Sequence, residues 1–230
     1  MLKIDKWLSS QLGYPAYNIN IIGKKNFNFF RNRAETILIS IKSKKKIKNS
    51  FLKKYKINLI EKNLTFFKNS QKKNFESDYF KNIRFANIID KKAILDIAEN
   101  SFFKSRFFKD KNIKKKLAKK IKRNWVLNFF RKKRGEYLII SEFKKKVVGF
   151  LLILKNKKDY VIDLIAVKKN YQNLRLATKM IEFLENRVFK QSKVGIYVST
   201  QSNNKNSIKL YIKNNFKIKY KKYVYHFNGY

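Results

Sequence analysis

Beyond Asn82 the apolar residues switch repeatedly between a strand period and a helix period, and a chain that does so must fold as a sheet carrying helices on its faces. Asn82 to Ile88 reads as a strand. Ala93, Ile94, Ile97 and Ala98 then share one helical face, with Asp90 where an N-cap belongs. Ile113, Leu117, Ile121, Trp125 and Phe129 recur every fourth residue, predicting a second, basic helix. Tyr137 to Ile140 and Val147 to Leu154 predict two strands joined by a turn at Lys144 and Lys145. Tyr160 to Val167 predicts a buried strand, and Ala177, Met180, Ile181, Leu184 and Val188 a helix after it. Val194 to Ser199 (strand), Ile208 to Asn214 (helix) and Phe216 to Tyr225 (strands) complete the order β-α-α-β-β-β-α-β-α-β. The expected class is α/β, with a mixed α+β sheet.

The region before Asn82 is less regular. Ile37 to Ile41 reads as a buried strand, Ile47 to Lys54 as a short helix and Leu64 to Phe67 as another strand, a small α/β piece. Lys68 to Tyr79 is polar and aperiodic and reads as a linker. Two units are expected: residues 1–80, a small accessory α/β subdomain with its linker, and residues 81–230, the main domain.

The charge is extreme: 57 Lys and Arg face 15 Asp and Glu, a net +42. Only nine of the 57 are Arg, the residue that contacts phosphates and base edges bidentately, and the Lys are spread along the whole chain. Lys is enriched together with Asn, Ile, Phe and Tyr, residues that share AT-rich codons. A solvated basic surface is therefore expected before a nucleic-acid face. No Cys rules out disulfides, thiolate nucleophiles and Cys-based zinc sites. One His argues against a His-rich metal site or a Ser-His-Asp triad. No signal-peptide pattern or apolar run of membrane-spanning length is present, so a cytoplasmic location is expected.

The segment from Tyr160 to Val188 runs from a buried strand through a short loop into a helix N-terminus. The first N–H groups of a helix lack internal partners and attract anions such as a pyrophosphate. Any β-α connection shares that geometry, so spacing alone does not name a ligand. The loop Gln172, Asn173, Leu174, Arg175, Leu176, Ala177 resembles the Gln/Arg-x-x-Gly-x-Gly/Ala loop of the GNAT acetyltransferases, with Arg175 standing where that family has glycine. A second block, Thr200 to Phe216, resembles the family's Asn-x-x-Ala-x-x-Leu-Tyr-x-x-x-Gly-Phe: Asn204, Leu210, Tyr211 and Phe216 match, Ser207 replaces Ala and Asn215 replaces Gly. Asn is the side-chain residue that best tolerates the left-handed conformation at a helix end. Thr200-Gln201, and Ser105-Arg106-Phe107 with Asp110 ahead of the Trp125 helix, are similar to acetyltransferases of nucleotide-linked 4-amino-dideoxy sugars, a subfamily with an N-terminal accessory subdomain.

The resemblance implies a central mixed sheet flanked by helices and direct acetyl transfer from acetyl-CoA to a primary amine, with no metal. It implies that Leu164, Ile165, Ala166, Val167, Gln172, Asn173, Leu174, Arg175, Leu176, Ala177, Thr178, Asn204 and Ser207 hold the acetyl-CoA. Tyr211 would protonate the departing sulfur, and Arg106, Asp110, Thr200 and Gln201 would bind the amine substrate, a nucleotide-linked amino sugar. Asp163, a carboxylate inside an apolar strand, is either a structural hydrogen-bonding acid or the general base or amine-binding group. Three functions are weighed: sugar N-acetylation, acetylation of a protein N-terminus or lysine, and nucleic-acid binding by a degenerate member of the fold. A homodimer is compatible with the sequence.

Overall fold

The structure, a computed structural model, describes residues 2–21, 37–70, 74–187 and 194–229. In chain order its elements are β1 (Lys3–Ile4), α1 (Lys6–Leu12), β2 (Ala16–Ile21), β3 (Ile37–Ser43), α2 (Asn49–Lys54), β4 (Ile57–Ser70), β5 (Ile83–Phe85), α3 (Lys91–Glu99), α4 (Arg106–Lys109) and α5 (Lys115–Phe130), then β6 (Tyr137–Phe143), β7 (Lys146–Asn156), β8 (Asp159–Val167), α6 (Leu176–Arg187), β9 (Val194–Gln201), α7 (Lys205–Lys213) and β10 (Lys217–Gly229). The strands form one mixed sheet in the order β1-β2-β3-β10-β4-β9-β8-β7-β6-β5.

Helices cover both faces because the strands alternate apolar residues to both sides. On β7, Leu151 and Ile153 pack with Met180, Ile181 and Leu184 of α6, while Phe150 and Leu152 pack with Ile94 and Ile97 of α3 and Val126 of α5. The β6–β7 hairpin closes through Lys144 and Lys145, both left-handed at φ 48° and 60°. A two-residue hairpin of this twist demands positive φ at both positions. The order predicted beyond Asn82 is present, with the four-residue α4 added between its first two helices. Phe216 to Tyr225, expected to supply several strands, lies at the start of the single long strand β10. Val188, expected to close the helix, lies outside the described residues, as do residues 71–73 of the expected linker.

Three expectations for local structure give way. Asp90 stands at the N-cap position of α3 as expected but makes no side-chain cap bond: its carboxylate grips Arg84 at 2.7 and 2.9 Å and accepts from the Asn87 N–H, while the Asn87 side chain caps the 3-10 turn that leads into the helix. The segment expected to be a linker is packed structure, since Lys68 to Ser70 end β4, and Phe75, Tyr79 and Phe80 stack against one another, with Phe80 edge-on to Phe183 of α6. The boundary expected near residue 80 does not coincide with a break in the sheet. β4 lies between β10 and β9, pairing antiparallel with both, so residues 57–70 are built into the middle of the sheet.

Candidate active site

β8 and β9 run parallel but pair at only three positions, Tyr160 with Ile196, Val161 with Tyr197 and Ile162 with Val198. Beyond Ile162, β8 follows β7 as far as Val167 and β9 follows β4 as far as Gln201, so the two strands diverge. A register irregularity opposite Leu152 and Ile153 leaves Asp163 unpaired on β8 where the strands part. The opening forms a cleft lined by β8 from Ile162 to Val167, β9 from Val198 to Gln201, the loop before α6 and one face of α7.

The loop is shaped for close approach to the backbone. Asn173 and Arg175 are both left-handed, at φ 65° and 58°, and α6 starts immediately afterwards at Leu176. Alternating handedness turns successive N–H groups into one concavity, and the helix N-terminus adds its own free donors. The left-handed backbone explains why glycine suits the position of Arg175. The Gln172 side chain turns back to donate to the Val167 carbonyl at 3.1 Å, tying the loop to the end of β8. Thr178 accepts from Asn214 Nδ2 at 3.2 Å, which fixes the first turn of α6 against the end of α7.

Tyr211 reaches this cleft from α7. Its ring lies against Phe66 of β4 and Phe216, and only 3% of the residue is exposed. Burial raises the hydroxyl pKa well above its ordinary value of 10, so the phenol stays protonated. The left-handed turn that seats Phe216 under the ring falls on Asn215, at φ 62°, as its glycine-like position implies. Asn204 begins α7 without a side-chain cap; its amide instead donates to Thr200 Oγ1 at 3.1 Å and Ser207 Oγ at 2.8 Å.

Of the residues expected at the site, Asp163, the backbone from Leu164 to Val167, most of the 172–178 loop, Thr200, Gln201, Asn204, Ser207 and Tyr211 line this one cleft. Leu174 does not, since its side chain points to solvent and is 49% exposed. Arg106 and Asp110 are also absent from the lining. Asp110 is sealed inside, bonded to His226 Nδ1 at 2.6 Å and to the Asn112 N–H at 2.9 Å. Burial pushes the His226 pKa down in spite of Asp110, and burial pushes Asp110 up less than its hydrogen bonds from His226 and Asn112 push it down. The pair therefore rests as neutral imidazole and carboxylate inside the fold. Asp163 is held in the cleft wall: Arg134 grips both its oxygens at 2.7 and 2.8 Å and Trp125 Nε1 donates at 2.9 Å. Sequence reasoning missed Arg134 as that partner, and it missed Lys122, which lines the cleft from α5.

The acetyltransferase (GNAT) family model matches residues 93–216, more than half of the chain. This chain belongs to the GNAT acetyltransferase family. The matched span runs from α3 through Phe216 and contains the diverging strands, the left-handed loop and Tyr211. A curated relative, the spore coat polysaccharide biosynthesis protein SpsD of Bacillus subtilis (strain 168), is 29% identical over 137 residues, covering 60% of this chain and 47% of that protein. The chain thus spans about half the length of this relative. Two solved structures share the fold. A functionally unknown conserved protein from Staphylococcus epidermidis ATCC 12228 gives a TM-score of 0.60 at 12% identity, over 84% of this chain and 73% of that one. A GCN5-related N-acetyltransferase from Sphaerobacter thermophilus gives 0.58 at 10% identity, over 85% of this chain and 61% of that one. No helix among the described residues is long and apolar enough to cross a membrane.

Proposed function

We propose that this acetyltransferase moves an acetyl group from acetyl-CoA to the primary amine of a nucleotide-linked amino sugar. The observation that carries the acyl transfer is the cleft itself, where the parted β8 edge, the loop from Gln172 to Thr178 and the Tyr211 side chain meet. The donor set fits acetyl-CoA. The left-handed loop and the α6 N-terminus offer N–H groups to a pyrophosphate, and the backbone of Leu164 to Val167, freed from β9, offers donors to a carbonyl oxygen.

The amine's lone pair attacks the thioester carbon, the C–N bond forms as the C–S bond breaks, the sulfur takes a proton from Tyr211, and the proton shed by the nitrogen passes through water to restore the phenol. The buried phenol holds its proton, and because a thiol is the stronger acid the transfer is uphill, completed only as the proton shed by the amine returns to the phenolate. No covalent enzyme intermediate is needed, in keeping with a chain that has no Cys. The sugar reading is supported by similarity to SpsD, whose name concerns spore coat polysaccharide, and by the net +42, which suits an anionic nucleotide diphosphate.

Calorimetric titration of acetyl-CoA, followed by assay of uridine or thymidine diphosphate 4-amino-4,6-dideoxyhexoses against peptides, tests this directly. Turnover of the sugars is expected, and turnover of peptides alone would defeat the sugar reading. Arg175 gives a sharper test of the cofactor end. A non-glycine residue held left-handed costs about 1 kcal/mol, so Arg175→Gly is expected to leave acetyl-CoA affinity unchanged or tighten it up to about fivefold. A large loss of affinity would show that the guanidinium had become a phosphate ligand.

A further inference from the structure

Lys122 is the feature of the cleft that acyl transfer to an external amine leaves unexplained. It enters from α5 and its stem is half-buried. Its Nζ lies 4.4 Å from the Trp125 ring centre, 5.3 Å from Phe102 and 5.9 Å from Phe107. The same indole donates to Asp163, the residue at which β8 and β9 part. The amine is thus held one indole away from the apex of the opening.

We infer that Lys122 is itself an acyl acceptor, a self-acetylation site whose acetyl-lysine closes the acceptor end of the cleft. The inference rests on the acetyl-CoA reading above. A lysine amine attacks a thioester only when neutral, and the surroundings of Lys122 favour that form. Burial lowers its pKa to about 8, helped by Arg106 of α4 and Arg134 beyond α5 and opposed by Asp163 of β8 and Glu61 of β4. The aromatic rings favour the cation, but burial outweighs them. At neutral pH roughly 200-fold more of such an amine is neutral than of a lysine at its ordinary value. The neutral Nζ bonds to the acetyl carbon, the C–S bond breaks, Nζ releases a proton to water, and the sulfur takes one from Tyr211, whose phenol is then restored from water. The products are acetyl-lysine and free CoA thiol.

The test uses the full chain and acetyl-CoA with no added amine, read by intact mass and peptide sequencing at a series of pH values. One acetyl group per chain is expected, on Lys122, forming at least about tenfold faster than on any exposed lysine. The rate should rise with pH and level off above about 8. It should also slow in Tyr211→Phe. Lys122→Arg and Lys122→Met, which keep the stem among the rings, should take up none. Acetyl groups scattered over exposed lysines, or an unmodified Lys122 in protein that binds acetyl-CoA in the calorimeter, would overturn the Lys122 inference while leaving acetyl-CoA as donor. Absence of both binding and adduct would overturn the donor reading and this inference with it.

Discussion

Replacing Tyr211 with phenylalanine is expected to lower kcat by about 100-fold, the usual scale for losing a positioned general acid, while acetyl-CoA affinity stays within twofold. The split follows from the geometry. The ring stays packed against Phe66 and Phe216, so the cleft keeps its walls, and only the proton that the departing sulfur needs is removed. No hydrogen bond among the described residues holds the hydroxyl to the protein, so its loss should leave no buried partner unsatisfied and stability should hardly change. Steady-state kinetics beside a calorimetric titration gives both quantities. An unchanged kcat would remove Tyr211 as the acid, and a matching loss of affinity would make its part a packing one.

The largest expected loss of stability lies away from the chemistry, at Lys68. Its ammonium pairs with Glu185 of α6 where the two side chains are 8% and 1% exposed, and Ser70 donates to the same carboxylate. The interaction fastens the end of β4 to the helix that follows the 172–175 loop. Lys68→Met keeps the stem but takes the ammonium from a buried carboxylate, a change that costs about 3–5 kcal/mol. In a chain of this size the melting temperature should fall by about 10 °C. Changing both partners, Lys68→Met with Glu185→Leu, should recover most of that loss, because no buried charge remains. Thermal denaturation of the single and double variants decides it; a single variant as stable as the parent would show that Glu185 is neutral or reached by water.

Much of the site was legible in the sequence because its signals are local. A loop ahead of a helix start and a tyrosine between Leu210 and Phe216 depend on residues a few positions apart, and backbone stereochemistry acts over that range. Asn215 shows the point well, as a glycine-like position filled by the residue that best tolerates it. Asp163 shows the limit. An acid inside an apolar strand declares itself in sequence, but Arg134 and Trp125 lie 29 and 38 residues away, and only the folded chain brings them onto the carboxylate. Arg106 and Asp110 carried a motif resemblance, yet the first stands apart from the cleft lining and the second is sealed against His226, 116 residues along the chain.

Sequence alone determined the alternation of strands and helices from Asn82 onward, the loop between a buried strand and the helix α6, and the family to which the chain belongs, since each is written in short-range periodicity or short motifs. Tertiary structure decided that β4 enters the sheet between β10 and β9, because strand pairing joins residues far apart and leaves no local mark. It also decided where Lys122 sits. Lys122 resembles its neighbours in sequence, and only the packing of α5 brings it into the cleft against Trp125, where burial lowers its pKa.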